Sequence, residues 1–157
     1  MTPAIQALKK LGVAHSVHRY EVSGDEDVTY GEAVAAAIGA DPATVFKTLV
    51  AQLNTGELVV AIVPVTSTLD LRALAAAADA KRASMAAPAA AERSSGYVTG
   101  GISPFGQRRK LRTFVDGSAE RFATVFVSAG RRGLQMSLAT PDLLRGCSAA
   151  VVAGLAR

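Results

Sequence analysis

The sequence is poor in cysteine, histidine and aromatic residues: its 157 residues include one cysteine, Cys147, two histidines and no tryptophan. A single cysteine excludes an intramolecular disulfide and leaves no cysteine spacing that could hold zinc. Long apolar runs are also absent, since the longest, Val59 to Val65, contains Pro64 and is far shorter than the ~20 residues that span a bilayer. The opening MTPAIQALKK places lysines where a secretory signal needs apolar residues. We therefore expect a cytoplasmic protein without a membrane span.

Several common catalytic motifs are missing as well. The sequence contains no P-loop, no HExxH and no GxSxG. Its glycine-rich stretch does not stand between a strand and a helix, as a dinucleotide fingerprint must. These absences argue against nucleotide hydrolysis and zinc chemistry, and we expect no metal ion and no cofactor.

The chain offers few candidates for a nucleophile or a general base. His15 and His18 lie three residues apart on a predicted strand, so their side chains point to opposite faces and do not form a pair. A lone strand histidine more often fills surface or core than acts as a base. Cys147 has no histidine near it in the sequence, which favours a structural role. The sequence therefore predicts that the chain supplies no nucleophile of its own.

Apolar residues make up 50% of the chain, and alanine accounts for 31 of them. Leu, Ile, Val and Phe still number 40, which predicts a folded protein rather than a disordered one. The length suits one domain with a real core, and we expect residues 1–157 to form that domain.

Charge is segregated along the chain. The net charge is +4, yet residues 21–41 carry six acidic residues and no Lys or Arg, whereas residues 81–132 carry ten Lys or Arg against three acidic residues. A basic half of this kind suits a polyphosphate partner such as RNA, because each neutralised phosphate releases a counterion. A solvated basic face is the alternative.

Helix and strand signals alternate along the chain. Thr2-Pro3 and Gly12 bound a helix over residues 3–11, and Thr29 with Glu32 forms a capping-box pattern for a second helix. The other predicted elements are a strand over Val13–Tyr20, a loop over Ser23–Asp27, a short helix from Asp41-Pro42, a hairpin of Lys47–Leu53 with Leu58–Val65, helices over Leu69–Ala78 and Ala86–Glu92, strands over Arg112–Asp116, Phe122–Ser128 and Leu134–Leu138, and a last helix capped by Thr140. We predict a single α+β domain with a mixed, mostly antiparallel sheet flanked by helices.

Lys47 is the first candidate site residue, because it is the only Lys or Arg between Tyr20 and Leu71 and its neighbours are apolar. Such a lysine either snorkels from an edge strand or points into a site that uses its charge, and we favour the site. The GGISP loop at 100–104 and the SAGRRG turn at 128–133 are further candidates, since glycines let backbone N–H groups approach a ligand. A long connection with turn chemistry is the alternative for the loop.

Four stretches together resemble the YbaK/EbsC family, the free-standing relatives of the editing domain of bacterial prolyl-tRNA synthetases. They are MTPAIQALKKLGV with HRYE after it, VFKTLV at 45–50, SSGYVTGGISPFGQRRKLRTFVD at 94–116 and FATVFVSAGRRGLQMSLATPDL at 122–143. The stretches keep the family's order and spacing, and GYxxGGISPxGQ is far more specific than a lone glycine motif. The chain looks like the branch that deacylates Cys-tRNA(Pro), and the resemblance implies that family's α+β fold.

The resemblance also implies a mechanism and a set of site residues. In this family the thiol of the substrate's cysteine attacks the carbonyl of its own aminoacyl ester. The cysteine leaves the tRNA as a cyclic thiolactone. The protein then has only to hold the substrate in a bent conformation and stabilise the oxyanion. By this likeness, Lys47 binds the terminal phosphate or ribose of the acceptor end, and Gln135, where some relatives have Asp, is given no catalytic role. The implied residues are Lys47, Gly100, Gly101 and Ser128 for catalysis, Tyr20, Phe46, Thr48 and Ser103 for substrate binding, and Arg108, Arg109, Lys110, Arg112, Arg131 and Arg132 for tRNA binding.

The implied partners are mischarged tRNA(Pro), as substrate, and prolyl-tRNA synthetase; neither a membrane nor DNA is expected. Two alternatives stay open. One is an Ala-tRNA(Pro) deacylase of the same superfamily, because one or two pocket side chains decide between the substrates. The other is a non-catalytic module that binds tRNA or the synthetase.

Overall fold

The computed structural model describes residues 1–22 and 29–157, and local capping signals set the ends of its first two helices. Helix α1, Pro3–Leu11, begins after Thr2, whose side chain accepts a hydrogen bond from the N–H of Ile5. Helix α2, Tyr30–Ile38, begins after Thr29, whose hydroxyl accepts from the N–H of Glu32. Left-handed glycines end both helices, as the sequence predicts. The predicted loop over Ser23–Asp27 lies outside the described residues.

A five-stranded mixed sheet forms one half of the fold. The predicted hairpin is confirmed, since strands β2, Phe46–Leu53, and β3, Leu58–Pro64, pair antiparallel. The other strands are β4, Ala83–Met85, β5, Thr113–Asp116, and β8, Ala150–Val152, in the order β4-β2-β3-β5-β8. Strand β5 pairs parallel to both β3 and β8, which makes the sheet mixed.

A three-stranded antiparallel sheet forms the other half. It contains β1, His15–Arg19, β6, Thr124–Arg131, and β7, Leu134–Ala139, in the order β1-β7-β6. The β6–β7 hairpin has a register shift between Ser128 and Arg131, where Gly130 takes a positive φ of 108°. Because a bulge bends its strand, this shift marks the end of β6 as a place where the chain changes direction.

The two sheets meet where β2 and β6 begin. Val45, just before β2, forms an isolated parallel bridge with Phe126 of β6. A shared core fills the space between the sheets and includes Phe46 and Val50 from β2 and Val127 and Met136 from the second sheet. The predicted α+β class with mixed, mostly antiparallel pairing is therefore confirmed, and its strands divide between two sheets.

Helices cover the sheets, and some of their limits differ from the prediction. The remaining helices are α3, Leu71–Ala77, α4, Pro88–Ser95, and α5, Thr140–Gly146, with short 3₁₀ turns at Pro42–Thr44 and Gly117–Arg121. The capping role predicted for Thr140 is wrong, because the helix starts at Thr140 itself and its hydroxyl donates to the Phe122 carbonyl. Strands β4 and β8, three residues each, escaped prediction because such short segments show no periodicity. None of the described helices has the length and apolar character to cross a bilayer.

Candidate active site

A cavity of about 310 Å³ opens where the two sheets meet. One wall is β2 from Phe46 to Val50, and the opposite wall holds Ser128 of β6 and Gln135 of β7. The start of α4 and the glycine-rich loop close the remaining sides, through Pro88 and Gly100 among others. Most of the lining is apolar, and a small number of polar groups converge on it, which is the usual character of a small-molecule site.

Lys47 is the one lysine or arginine among the described residues that line this cavity. Partial burial lowers the pKa of its amine, and the negative charge of nearby Glu32 opposes that shift. A charged group kept half-buried in an apolar setting costs free energy, so the site is a natural place for a negatively charged or strongly polar ligand. The structure thus places Lys47 in the lining of a cavity, as the hypothesis of a lysine that points into a site expects, and not at the surface of an edge strand.

The structure brings five of the eight predicted catalytic and substrate-binding residues into the lining. They are Phe46, Lys47, Thr48, Gly100 and Ser128. The Ser128 hydroxyl oxygen accepts a hydrogen bond from the N–H of Gly130 at 3.1 Å, and no described residue accepts from its O–H, which can therefore donate to a ligand. Gly100 has a φ of 91°, which strains any other residue, and a Cβ there would meet the flexible guanidinium of Arg132.

Ser103 and Gly101, to which the resemblance assigns substrate binding and catalysis, lie outside the cavity lining. Ser103 is fully buried, and its hydroxyl accepts from the N–H of Phe105. Gly101 packs against the β6–β7 turn so closely that a Cβ would lie 2.7 Å from the Cα of Arg131, and its N–H already donates to the Val98 carbonyl. Both residues shape the loop that carries Gly100.

Tyr20 also lies outside the lining, but it contacts a residue that belongs to it. Its hydroxyl is 3.0 Å from the hydroxyl of Tyr30, which lines the cavity and which the sequence prediction missed. The guanidinium of Arg132 lies over the Tyr30 ring, 5.2 Å from its centroid. Burial and the hydrogen bond to Tyr20 hold the pKa of the Tyr30 phenol above its usual range. Tyr30 and Arg132 together form an aromatic and cationic group at the edge of the cavity.

Two buried polar atoms beside the cavity have no hydrogen-bond partner among residues 1–22 and 29–157. They are Oγ1 of Thr48 and Oε1 of Gln135, in side chains that are 8% and 6% exposed. An unpaired buried polar group costs about 1–3 kcal/mol, so such groups are retained mainly where a ligand or a reaction uses them. Gln135, for which the sequence predicts no catalytic role, therefore belongs to the polar wall of the site.

Thr48→Val tests whether the unpaired hydroxyl of Thr48 lowers the stability of the folded protein. Valine has the shape of threonine without the unpaired hydroxyl, so we expect the free energy of unfolding to rise by about 0.5–1.5 kcal/mol. Urea unfolding followed by circular dichroism measures the change. Thr44→Val is the matched control, because the Thr44 hydroxyl donates to Asp41 at 2.7 Å and its loss should lower stability. A loss of stability in Thr48→Val would show that its hydroxyl has a partner.

The predicted tRNA-binding residues divide into two groups. Arg108, Arg109, Lys110, Arg131 and Arg132 have exposed side chains. Arg112 is exposed as well, but its guanidinium forms a two-pronged ion pair with Glu57, with N–O distances of 2.8 and 3.0 Å, and also donates to the Ala78 carbonyl. An arginine engaged in this way is a poorer phosphate ligand than its neighbours.

Cys147 is a free, half-buried cysteine that lies outside the cavity lining. Its sulfur lies 3.6 Å from the Pro104 carbonyl oxygen, and burial raises the pKa of the thiol to about 12. His15 contacts the Val13 carbonyl and His18 contacts the Ser137 hydroxyl, and neither lines the cavity. Over residues 1–22 and 29–157 no cluster of three or more His, Cys, Asp or Glu could hold a metal ion. Cys147, His15 and His18 therefore all lie outside the lining of the cavity.

Comparison with known proteins gives this site a context. The model of the aminoacyl-tRNA editing domain family matches residues 25–145. A protein of Enterococcus faecalis (strain ATCC 700802 / V583), named "Putative Cys-tRNA(Pro)/Cys-tRNA(Cys) deacylase EbsC", is 37% identical over 125 residues, which cover 80% of this chain and 76% of that protein. The matched region of the family model contains every residue that the structure brings into the cavity.

Solved structures share the fold over almost the whole chain. A crystal structure described as "a putative trans-editing enzyme for prolyl tRNA synthetase" superposes with a TM-score of 0.83 and 21% identity, covering 98% of this chain and 97% of that one. A structure from work on grafting epitope backbones onto scaffold proteins gives a TM-score of 0.86 at 20% identity, over 99% and 95% of the two chains. At such identities the likeness concerns the fold alone.

Proposed function

Because this chain belongs to the aminoacyl-tRNA editing domain family and is an aminoacyl-tRNA deacylase, we propose that it releases cysteine from mischarged Cys-tRNA(Pro) by a substrate-assisted reaction. One observation carries the proposal: no Cys, His, Asp or Glu is among the described residues that line the cavity. A deacylase whose described cavity lining holds no thiol, imidazole or carboxylate has a simple explanation if the substrate brings its nucleophile. The name of the relative from Enterococcus faecalis supports cysteine as the amino acid.

The proposed reaction is an intramolecular acyl transfer. The cysteine sulfur attacks its own ester carbonyl carbon, the C–S bond forms, and the bond between that carbon and the ribose oxygen breaks. The thiol proton ends on the ribose oxygen, so the products are a cyclic thiolactone and free tRNA. Because nucleophile and electrophile belong to one molecule, the protein contributes chiefly by holding the bent conformer and by stabilising the oxyanion.

The cavity residues receive roles that follow from their positions. The Lys47 amine binds the ribose or terminal phosphate, since it supplies the positive charge of the lining. Phe46 and Thr48 form the wall against the aminoacyl group, and Gly100 and Ser128 face the ester. Tyr20 acts indirectly by holding Tyr30, while Ser103 and Gly101 set the path of the loop.

A panel of mischarged tRNAs tests the proposal. The protein is incubated with Cys-tRNA(Pro), Ala-tRNA(Pro) and Ser-tRNA(Pro), and release of each amino acid is followed over time. We expect rapid release of cysteine alone. Rapid release of alanine would favour the Ala-tRNA(Pro) deacylase of the same superfamily, and serine release at an equal rate would exclude the thiol-assisted reaction. If no amino acid is released from any of the three, the alternative of a non-catalytic binding module is favoured.

The tRNA itself is proposed to bind exposed basic side chains, among them Arg109, Arg131 and Arg132. Arg132 contacts both Gly100 and Tyr30, so a phosphate bound there would lie close to the aminoacyl group. The whole chain would then act as one editing domain in the cytoplasm. Prolyl-tRNA synthetase, the source of the mischarged tRNA, is the proposed protein partner.

The salt dependence of tRNA binding measures these contacts. Each neutralised phosphate adds about 0.7–0.9 to the slope of log affinity against log salt, so Arg109→Ala with Arg131→Ala should reduce that slope by about 1.5. Fluorescence anisotropy with labelled tRNA(Pro) over a range of KCl gives the slope. Arg121→Ala, an exposed arginine in a surface depression that shares no residue with the cavity, is the control and should leave it unchanged. An equal slope in the double variant would show that the two arginines do not contact phosphate.

A further inference from the structure

The peptide group between Ala129 and Gly130 is hydrogen-bonded at both of its ends. Its N–H, which belongs to Gly130, donates to the hydroxyl oxygen of Ser128 at 3.1 Å. Its carbonyl, which belongs to Ala129, accepts from the hydroxyl of Thr2. A peptide group is planar, so its N–H and C=O turn together. The hydroxyl of Thr2 is thereby coupled, through one rigid unit, to the hydroxyl of Ser128 in the lining of the cavity.

This peptide group lies where the strand pairing is irregular. The register of β6 on β7 shifts between Ser128 and Arg131, and Gly130 takes a φ of 108°. A bulge interrupts the ladder of hydrogen bonds that holds a regular strand in place. The bond from Thr2 therefore supplies an anchor from outside the sheet at the point where the sheet itself holds the chain least.

The anchor is fixed in turn by its surroundings. The hydroxyl oxygen of Thr2 accepts from the N–H of Ile5 at 3.2 Å and so caps helix α1. The glycine-rich loop packs directly on the next residue, since a Cβ at Gly106 would lie 2.6 Å from the carbonyl carbon of Pro3. On the other side, a Cβ at Gly130 would lie 3.1 Å from the Cβ of Thr2. The start of α1 is thus held between the loop and the bulge.

We propose that Thr2 is a positioning residue for deacylation, which acts by fixing the peptide group that holds the Ser128 hydroxyl towards the aminoacyl ester. This assignment rests on the proposed deacylase function, in which Ser128 faces the ester. Because the N–H of Gly130 occupies an acceptor site of that hydroxyl, its O–H remains the group that donates to the ligand. A donor that is already oriented needs no reorganisation during the reaction.

Two substitutions separate the donor of Thr2 from its role as a helix cap. Thr2→Ser keeps a hydroxyl that can accept from Ile5 and donate to Ala129. Thr2→Asp keeps the acceptor that caps the helix, but its carboxylate has no proton to donate. We expect Thr2→Asp to lower kcat on Cys-tRNA(Pro) about 10-fold, with KM and the unfolding temperature nearly unchanged. Thr2→Ser is the control and should keep kcat within about two-fold of the unmodified protein.

A double variant shows whether Thr2 acts through Ser128. Ser128→Ala should itself lower kcat, and adding Thr2→Asp to it should lower kcat no further, because the hydroxyl to be held is already gone. A second loss of the same size in the double variant overturns the proposal, and so does an unchanged kcat in either single variant. An equal fall in Thr2→Ser, or a fall in Thr2→Asp matched by a loss of unfolding temperature, also overturns it.

An NMR measurement tests the coupling without reference to activity. The three-bond couplings between Hα and Hβ of Ser128 report its χ1 rotamer. They should show one rotamer in the unmodified protein and in Thr2→Ser, and averaging in Thr2→Asp and in Thr2→Val, which lacks the hydroxyl altogether. Unchanged couplings in both of the latter overturn the assignment. If the unmodified protein releases no amino acid from any mischarged tRNA, the proposed function fails, whereas these couplings still decide whether Thr2 holds Ser128.

Discussion

Lys47→Ala is expected to lower kcat/KM on Cys-tRNA(Pro) by about 10²–10³-fold while the protein stays folded. The amine is the one Lys or Arg group among the described residues lining the cavity, and the surrounding wall is mostly apolar. Low polarity strengthens the attraction between a fixed charge and a phosphate or a developing oxyanion. Removing that charge therefore costs far more here than at the surface. Single-turnover assays with supplied Cys-tRNA(Pro) measure the effect independently of product release.

The same residue should have an opposite effect on stability. Burial lowers the pKa of the Lys47 amine below its usual 10.5, so the unfolded chain binds this proton more tightly than the folded one. Stability therefore rises as pH increases from the folded-state pKa towards 10.5 and is reduced below that window. Lys47→Met, which removes the charge and keeps the length, should unfold at a higher temperature at neutral pH and lack the rise at alkaline pH.

The control for both measurements is Lys10→Ala, a change at an exposed lysine in the last turn of α1. It should leave activity and the pH dependence of stability unchanged. A purely tRNA-binding chain would show no turnover in any form, and the Lys47 variants would then differ only in affinity. If the unmodified protein is active and Lys47→Ala retains that activity, Lys47 has no role in substrate binding or catalysis.

Much of the fold could be predicted because its signals are local. Thr2, Thr29 and the glycines after α1 and α2 act within one helical turn, and the β2–β3 hairpin is set by a short connection. The division into two sheets is different, since it depends on β5 pairing parallel to β3, and β8 parallel to β5, across long stretches of chain. Nothing in the period of a strand shows which partner it will take.

Residue by residue, the sequence predicts only those parts of the site whose residues are unusual for their position. Lys47 stands out because a charge interrupts an apolar strand, and Gly100 because the loop around it is rich in glycine. Tyr30 and Gln135 carry no such mark, since an aromatic residue at the start of a helix and an amide in a strand are ordinary. Their importance follows from placement beside the cavity and, for Gln135, from an amide oxygen that has no partner within the described part of the chain.

Methylation of the substrate sulfur is expected to reduce deacylation by on the order of 10³-fold or more, because it removes the proposed nucleophile and leaves the ester, the amine and the tRNA intact. The comparison uses Cys-tRNA(Pro) and S-methyl-Cys-tRNA(Pro) with the same protein. Mass spectrometry of the first products should detect the thiolactone, or its adduct with added hydroxylamine, from the unmodified substrate alone.

Cys147→Ala separates the substrate's thiol from the chain's own. Burial raises the pKa of Cys147 to about 12 and the sulfur lies against the Pro104 carbonyl, so its removal should leave deacylation unchanged. Loss of activity in a folded Cys147→Ala variant would assign the nucleophile to the chain. Equal rates on the methylated and unmethylated substrates would instead require water as the nucleophile. That reaction needs a general base, and the described lining of the cavity contains no histidine or carboxylate to act as one.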